Sequence, residues 1–404
     1  MAQSTVTRRT ILMSTVAAGA AILGIRPAYA ADTVSGDLLF DLAKQYSRFN
    51  PHRTGTPTGI TGTDWFAYQL HVRGATVGRW AYPYAHYDWA AEVRVGGQPV
   101  DAIPLYYEGV GHVDTDAPLI RPVVVNQGTD DTDVEAAMAE AHGTGAPLAV
   151  LPTVNRVNGA SDYDGLVAAN RDPAAGTTGI PTLLIPGHLA NQARQDGVRA
   201  WIRARTRPAA AHDVTGWFGQ PVTDPIVVTT PLSGWFGCAA ERGTGVAVAL
   251  ELAAALATTH PVFVLGTTGH ELNNAGLGAY LADAFDLTPR AVIHLGASIA
   301  AGSVDANGVA TFAPWRVVTS NRQYAKVPGL RPALTAGSFT TIPTFAGEGA
   351  LWYARLGDAT PLLSFAGWFP QFHTPDDSAT LTTSPDLLAQ AYQSVNAAVA
   401  ALLA

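Results

Sequence analysis

Two short apolar runs, residues 226–230 and 262–265, each end in a loop dense with polar residues, and each loop feeds a helical pattern. This order of strand, loop, helix, strand, loop, helix constrains the fold more than any other feature. It predicts an α/β architecture: a mostly parallel central sheet with helices on both faces. The first loop carries Ser233, Glu241 and Arg242. The second opens with Gly269-His270-Glu271. In open parallel sheets ligands bind beyond the carboxyl ends of the strands, so the chemistry is expected in these loops.

The chain has 404 residues, enough for two domains or for one large domain carrying an insertion. With 48% apolar and 14% charged residues it can bury a sizeable core. A net charge of −8 without a basic run argues against nucleic acid or an anionic membrane as partner. The first 30 residues have the form of a removable address. Thr7-Arg8-Arg9-Thr10 is a twin-arginine motif, a short apolar stretch follows, and Ala28-Tyr29-Ala30 offers a cleavage site before Ala31. The mature protein is expected in the periplasm or outside the cell, with no membrane attachment after removal of the signal. Cys238 stands alone, so no intrachain disulfide can form. It reads as a small buried hydrophobe rather than as a nucleophile.

Helical spacing predicts helices over 35–50, 64–73, 134–142, 245–258 and 384–403, the last beginning at Pro385. Strand patterns fall at 77–82, 90–95, 148–151, 182–185, 291–293 and 361–365, among others. Residues 31–100 and 212–404 are expected to form the α/β domain. Residues 101–211 form an inserted module, with Ala209-Ala210-Ala211 as the return linker.

Four polar clusters follow successive strands: Glu241-Arg242, His270-Glu271, His294, and His373 with Asp376 and Asp377. Carboxylate and imidazole groups at neighbouring strand ends are what a zinc site requires. His270-Glu271 is not a zincin motif, because Asn274 stands where its second His would be. Ser233 with His270 and a glutamate would make a hydrolytic set, but no nucleophile elbow surrounds the serine. Trp235 and Trp368 lie in loops expected to face the site and could wall an apolar pocket.

These segments together resemble the M28-type zinc aminopeptidases over most of the mature chain. Arg53-Thr54-Gly55-Thr56-Pro57 is similar to that family's R-x-x-G-[ST]-P segment. Residues 238–245 resemble its G-A-x-D-N-x-S-G loop, Gly269-His270-Glu271 its G-E-E strand end, and Phe372-His373-Thr374-Pro375 with Asp377 its closing Y-H-T-x-x-D. The inserted module resembles a protease-associated domain.

Set against the family pattern, Thr229 and Thr230 stand where its first histidine ligand would be. Glu241 replaces the bridging Asp, Arg242 its Asn, and His270 the general-base Glu, while Gly296 falls at the position of an Asp ligand. The resemblance therefore implies at most one zinc, held by Glu241, Glu271 and His373, as in the single-zinc glutaminyl cyclases of this fold. His270 would move protons, Arg242 would anchor substrate charge, and His294 would serve as a further acid or ligand. Alternatively, Arg242 pairs with Glu241 and leaves no metal. The reading implied is an exported hydrolase acting on an amide or related bond of a peptide or small molecule. Its rivals are a metal-free acid–base enzyme of lyase or cyclase type and a non-catalytic binding protein. The sequence leaves substrate and oligomeric state open.

Overall fold

The computed structural model describes residues 34–120, 123–124, 132–156, 162–169, 179–321 and 324–404. The twin-arginine segment lies outside them. Helix α1, Gly36–Tyr46, is capped by Ser35, whose hydroxyl accepts the Leu38 N–H. Helix α2, Pro57–Val72, begins seven residues before the apolar periodicity does, because Thr56 caps it and Pro57 occupies its first turn.

The central sheet is built from β1 (Thr76–Val95), β2 (Val198–Phe218), β3 (Ile226–Pro231), β4 (Val262–Thr267), β5 (Ala291–Leu295), β6 (Trp315–Ser320) and β7 (Leu362–Trp368). Across the sheet the order runs β6-β7-β5-β3-β4-β2-β1. The strands β7, β5, β3 and β4 are parallel, β6 and β2 flank them antiparallel, and β1 pairs antiparallel with β2. Alternation along β3 decides which core each side chain enters. Ile226 and Val228 pack towards α1, α2, the helix after β3 (α3, Thr244–Leu256) and the C-terminal helix. Val227 packs on the other face, against α4 (Ala275–Asp283) and α5 (Glu348–Leu356). The C-terminal helix α6, Pro385–Leu403, starts at the expected proline, with the Ser384 hydroxyl accepting the Leu387 N–H.

The expected pair of short strands before the insertion is one strand of 20 residues, β1, paired along its whole length with β2. Ala209, Ala210 and Ala211 are therefore not a linker; they lie inside β2 opposite Tyr84, Pro83 and Tyr82. The two strands leave the core as an arm, and the inserted segment joins its far end, where Val95 faces Val198. That segment has its own sheet, in the order Ile103–Pro104, Thr182–Pro186, Ala149–Val154 and Val123–Val124. The helix Thr132–Gly143 covers it through Val134, Ala137, Met138 and Ala141.

The inserted segment folds back onto the loop after β7. Asn155, fully buried, gives its side-chain N–H groups to the carbonyls of Phe369, Pro370 and Phe372 at 3.3, 2.9 and 3.3 Å. Tyr163 donates to Asp376 at 2.9 Å, and the Ala168 N–H to the His373 carbonyl at 2.9 Å.

Asp213 sits fully buried in β2, where it accepts the Thr268 N–H at 2.7 Å; its second oxygen has no partner. Burial pushes this carboxyl up to about 8 despite the bonds from Thr268. A folded pKa above the unfolded one favours the folded state in acid. The contribution is complete below about pH 4 and is lost as pH rises towards 8. Buried Asp377, raised to about 7 by the same cause, acts in the same sense. Thermal unfolding followed from pH 5 to 8.5 is expected to show a falling Tm. Asp213→Asn should flatten that fall by at least about 1 kcal/mol; an unchanged slope in the variant would contradict this assignment.

Candidate active site

The loop after β3 turns sharply at Cys238, which has a positive φ of 48°. A single wide helical turn, Ala239–Gly243, then leads into α3. Asp377 fixes this turn: its carboxylate accepts the N–H groups of Ala240 at 2.8 Å and Glu241 at 3.0 Å, and the Thr382 hydroxyl at 2.7 Å. Glu241 and Arg242 are thereby held with no exposure to solvent.

The Glu241 carboxylate meets two partners on one oxygen. Arg242 Nη2 lies 2.9 Å from Oε1, and His373 Nε2 lies 3.2 Å from the same atom. Burial alone would raise this carboxyl, but His373 and Arg242 outweigh it and hold it at about 2. Neither guanidinium Nη atom is aligned as a hydrogen bond, whereas Nε donates to the Ser233 carbonyl at 3.0 Å. The His373 backbone adopts φ 60°, and its Nδ1 faces the Ala168 carbonyl at 3.3 Å. The inserted segment, not Asp376 or Asp377, thus orients this ring.

Glu271 is engaged elsewhere. One oxygen accepts the Thr54 N–H at 2.6 Å and the other the Ser233 hydroxyl at 2.6 Å. Ser233 Oγ in turn accepts the His270 N–H at 3.0 Å, and Thr54 Oγ1 accepts the Gly269 N–H at 2.8 Å. The expected N-terminal segment therefore does reach the second loop. The serine proton is committed to Glu271 and not to an imidazole, which removes the Ser233–His270 hydrolytic set.

The zinc expectation does not fit this geometry. A zinc ligand set needs anionic or neutral donors converging within about 2.0–2.3 Å of one point. Here Glu241 and His373 converge, but the fixed positive charge of Arg242 adjoins the same carboxylate, and Glu271 spends both oxygens on Thr54 and Ser233. Among the described residues no group of three or more His, Cys, Asp or Glu is arranged to hold a metal. Of the trio Glu241, Glu271 and His373, the first and last meet Arg242 in an ion-paired cluster, and Glu271 lies with Thr54 and Ser233.

A second cluster lies against the α4–α5 face of the sheet. Glu348, the first residue of α5, is fully buried and accepts the Thr267 hydroxyl at 2.7 Å. His270 Nδ1 lies 3.7 Å from one of its oxygens and His294 Nε2 3.7 Å from the other. His294 Nδ1 faces Ser364 Oγ at 2.9 Å. Burial lowers His270, with Arg242 adding and Glu348 opposing; burial likewise brings His294 to about 4. Burial would raise Glu348, but the two histidines and Thr267 pull it below its ordinary range. At neutral pH this is a carboxylate between two neutral imidazoles. With its side chain 17% exposed, His270 is the most open of the paired site residues. Sequence reasoning missed Glu348 because no motif surrounds it; an acid at the start of a helix is ordinary.

The remaining expectations divide. Trp235 is buried and packs on Tyr106 at 4.5 Å and near His373 at 6.5 Å between ring centres, beside the Glu241 cluster. Trp368 instead stacks on Trp315. Cys238 is buried, and burial raises its thiol well above the ordinary value, as a structural cysteine requires.

Compared with solved structures, the chain overlays on a zinc aminopeptidase from Bacillus subtilis with a TM-score of 0.64 at 16% identity, covering 91% of this chain and 95% of that one. It has the zinc-aminopeptidase fold. A peptidase M28 precursor from Shewanella amazonensis gives 0.64 at 15% identity over 91% and 93% of the two chains. An aminopeptidase from Aneurinibacillus gives 0.56 at 17% over 91% and 94%. No protein-family model matches the chain, and no curated protein matches it in sequence.

Removing one member of a buried ion pair leaves the other charge uncompensated, at a cost of about 3–5 kcal/mol. Arg242→Met is expected to lose that much in denaturant unfolding. The double variant Glu241→Leu/Arg242→Met should recover at least half of it. Additive losses in the double variant would contradict a direct pair.

Proposed function

We propose that the chain is an enzyme of this fold that works without a metal, by acid–base chemistry on an amide or related bond of a peptide or small molecule. The observation that carries this reading is the second cluster. His270 is neutral at working pH, partly exposed, and backed by a buried carboxylate. In this reading His270 takes a proton from the substrate or from an attacking group, and Glu348 stabilises the imidazolium that forms. The 3.7 Å separation is longer than a hydrogen bond, and such contacts tighten when substrate binds. His294 and Thr267 hold Glu348 in place. Arg242, fully buried beside the site, lends positive charge that favours the neutral form of His270. Hydrolysis and cyclisation both need these elements. The zinc aminopeptidases that share the fold support a peptide or small amide as substrate.

A second reading has its own support. Glu241, Arg242, Glu271 and His373 are at most 1% exposed, as a purely structural cluster would be. In that reading the protein binds a ligand without transforming it, and a ligand that raises Tm is recovered unchanged.

We also propose that the first 30 residues direct twin-arginine export and that the inserted segment is a protease-associated-type module shaping the site. Fractionation of cells expressing the chain with Arg8-Arg9 replaced by lysines tests the first point; unchanged export would reject it.

The catalytic reading predicts that activity survives saturating chelator. His270→Ala should lose about 10²–10⁴-fold in kcat/KM. Glu348 holds the His270 pKa up, so Glu348→Gln should move the acid limb of the pH–rate profile to lower pH and reduce kcat. Loss of activity in chelator that zinc restores, or an unmoved acid limb, would reject the assignment.

A further inference from the structure

His294 and Ser364 stand directly opposite one another where β5 pairs in parallel with β7, so both side chains leave the sheet on one face. Both are buried, and His294 Nδ1 lies 2.9 Å from Ser364 Oγ. Gly349, the second residue of α5, makes room for this pair: a Cβ there would stand 2.1 Å from the serine hydroxyl oxygen. The hydroxyl makes no other hydrogen bond among the described residues, so it is free either to donate or to accept. The other ring nitrogen decides which. His294 Nε2 is buried without a hydrogen-bond partner, 3.7 Å from Glu348 Oε2, which has none either. Burial keeps the ring neutral at pH 7, so it carries one proton. With that proton on Nδ1, the Nε2 lone pair would face a buried carboxylate. With it on Nε2, an N–H dipole faces the charge, and the serine hydroxyl completes the ring by donating to Nδ1.

The same reasoning applies to His270. Its Nδ1 is buried without a hydrogen-bond partner, 3.7 Å from Glu348 Oε1, although the side chain as a whole is 17% exposed. The buried nitrogen is Nδ1, so Nε2 is the one that can reach a substrate. We propose that Ser364 is a positioning residue for the proton transfer. By donating to His294 Nδ1 it sets that ring's proton on Nε2, towards Glu348. The carboxylate held in this way sets the His270 proton on Nδ1 and leaves the Nε2 lone pair as the base. When His270 takes a proton at Nε2, the imidazolium already points Nδ1–H at Glu348, and no turn of the ring is needed. The role in proton transfer rests on the catalytic reading above; the two tautomers do not.

The test is two-bond proton–nitrogen NMR correlation of the imidazole rings in the nitrogen-15-labelled full-length protein at pH 7, with His294→Gln and His270→Gln identifying the two rings. A protonated Nε2 is expected in His294 and a protonated Nδ1 in His270. In Ser364→Ala the unprotonated His294 nitrogen should move downfield, because it loses its hydrogen bond. The same variant should lower kcat about fivefold or more and leave KM within about twofold. A proton on His294 Nδ1 or on His270 Nε2, or a His294 signal unmoved by Ser364→Ala, would overturn the assignment. Unchanged kcat in Ser364→Ala would remove the positioning role even with both tautomers as expected. Full activity in His270→Gln would instead strike the catalytic reading, and the tautomers would still decide the bond from Ser364. If Ser364→Ala fails to fold, the tautomers of the unaltered protein decide.

Discussion

A carboxylate with no access to water must have its charge answered inside the protein, and at Glu241 an arginine and a histidine do so on a single oxygen. Much of the rim follows from that requirement. Asp377 ties down the turn that carries Glu241 and Arg242. The loop bearing His373 is held by the inserted segment as well, whose Asn155 and Ala168 bind its backbone and ring. Three parts of the chain far apart in sequence are thus fastened around one ion-paired cluster. At Glu241 this chain supplies a guanidinium covalently, 2.9 Å from the carboxylate oxygen. Its fixed positive charge opposes a metal cation at the same oxygen.

Much of the architecture could be read from local pattern. The runs at 226–230 and 262–265 became parallel strands because they are buried on both faces, and such strands are continuous apolar runs. Pro385 behind Ser384 marked the last helix for a local reason, the cap. The long arm was harder to see. In β2, Val198, Ala200, Ile202 and Ala204 alternate with exposed Arg199, Arg203 and Arg205, so a period of two is present. It lapses over 205–210, where both faces are exposed, and only pairing with β1 keeps those residues extended. No pattern within the segment itself reports that pairing.

At the site, the sequence located the loops but not the partnerships within them. Strand ends are set by local periodicity, so Glu241, His270, His294 and His373 could be placed near one edge of the sheet. Which atoms meet depends on backbone turns such as the positive φ at Cys238 and His373, which spacing does not encode. Glu271 was read as a ligand from a matching motif, yet its neighbours turn it towards Thr54 and Ser233. Glu348 comes from a stretch without any motif and acquires meaning only because α5 begins over the end of β4. The resemblance to the aminopeptidases was legible as fold.

The central claim is that the guanidinium of Arg242 excludes a metal from the Glu241–His373 pair. Its most direct test is an anomalous-scattering map at the zinc edge, from crystals soaked in millimolar zinc at pH 7.5. The account predicts no peak within about 2.5 Å of Glu241 and His373, with the guanidinium still against Glu241. A peak coordinated by both residues, with Arg242 swung aside, would contradict it.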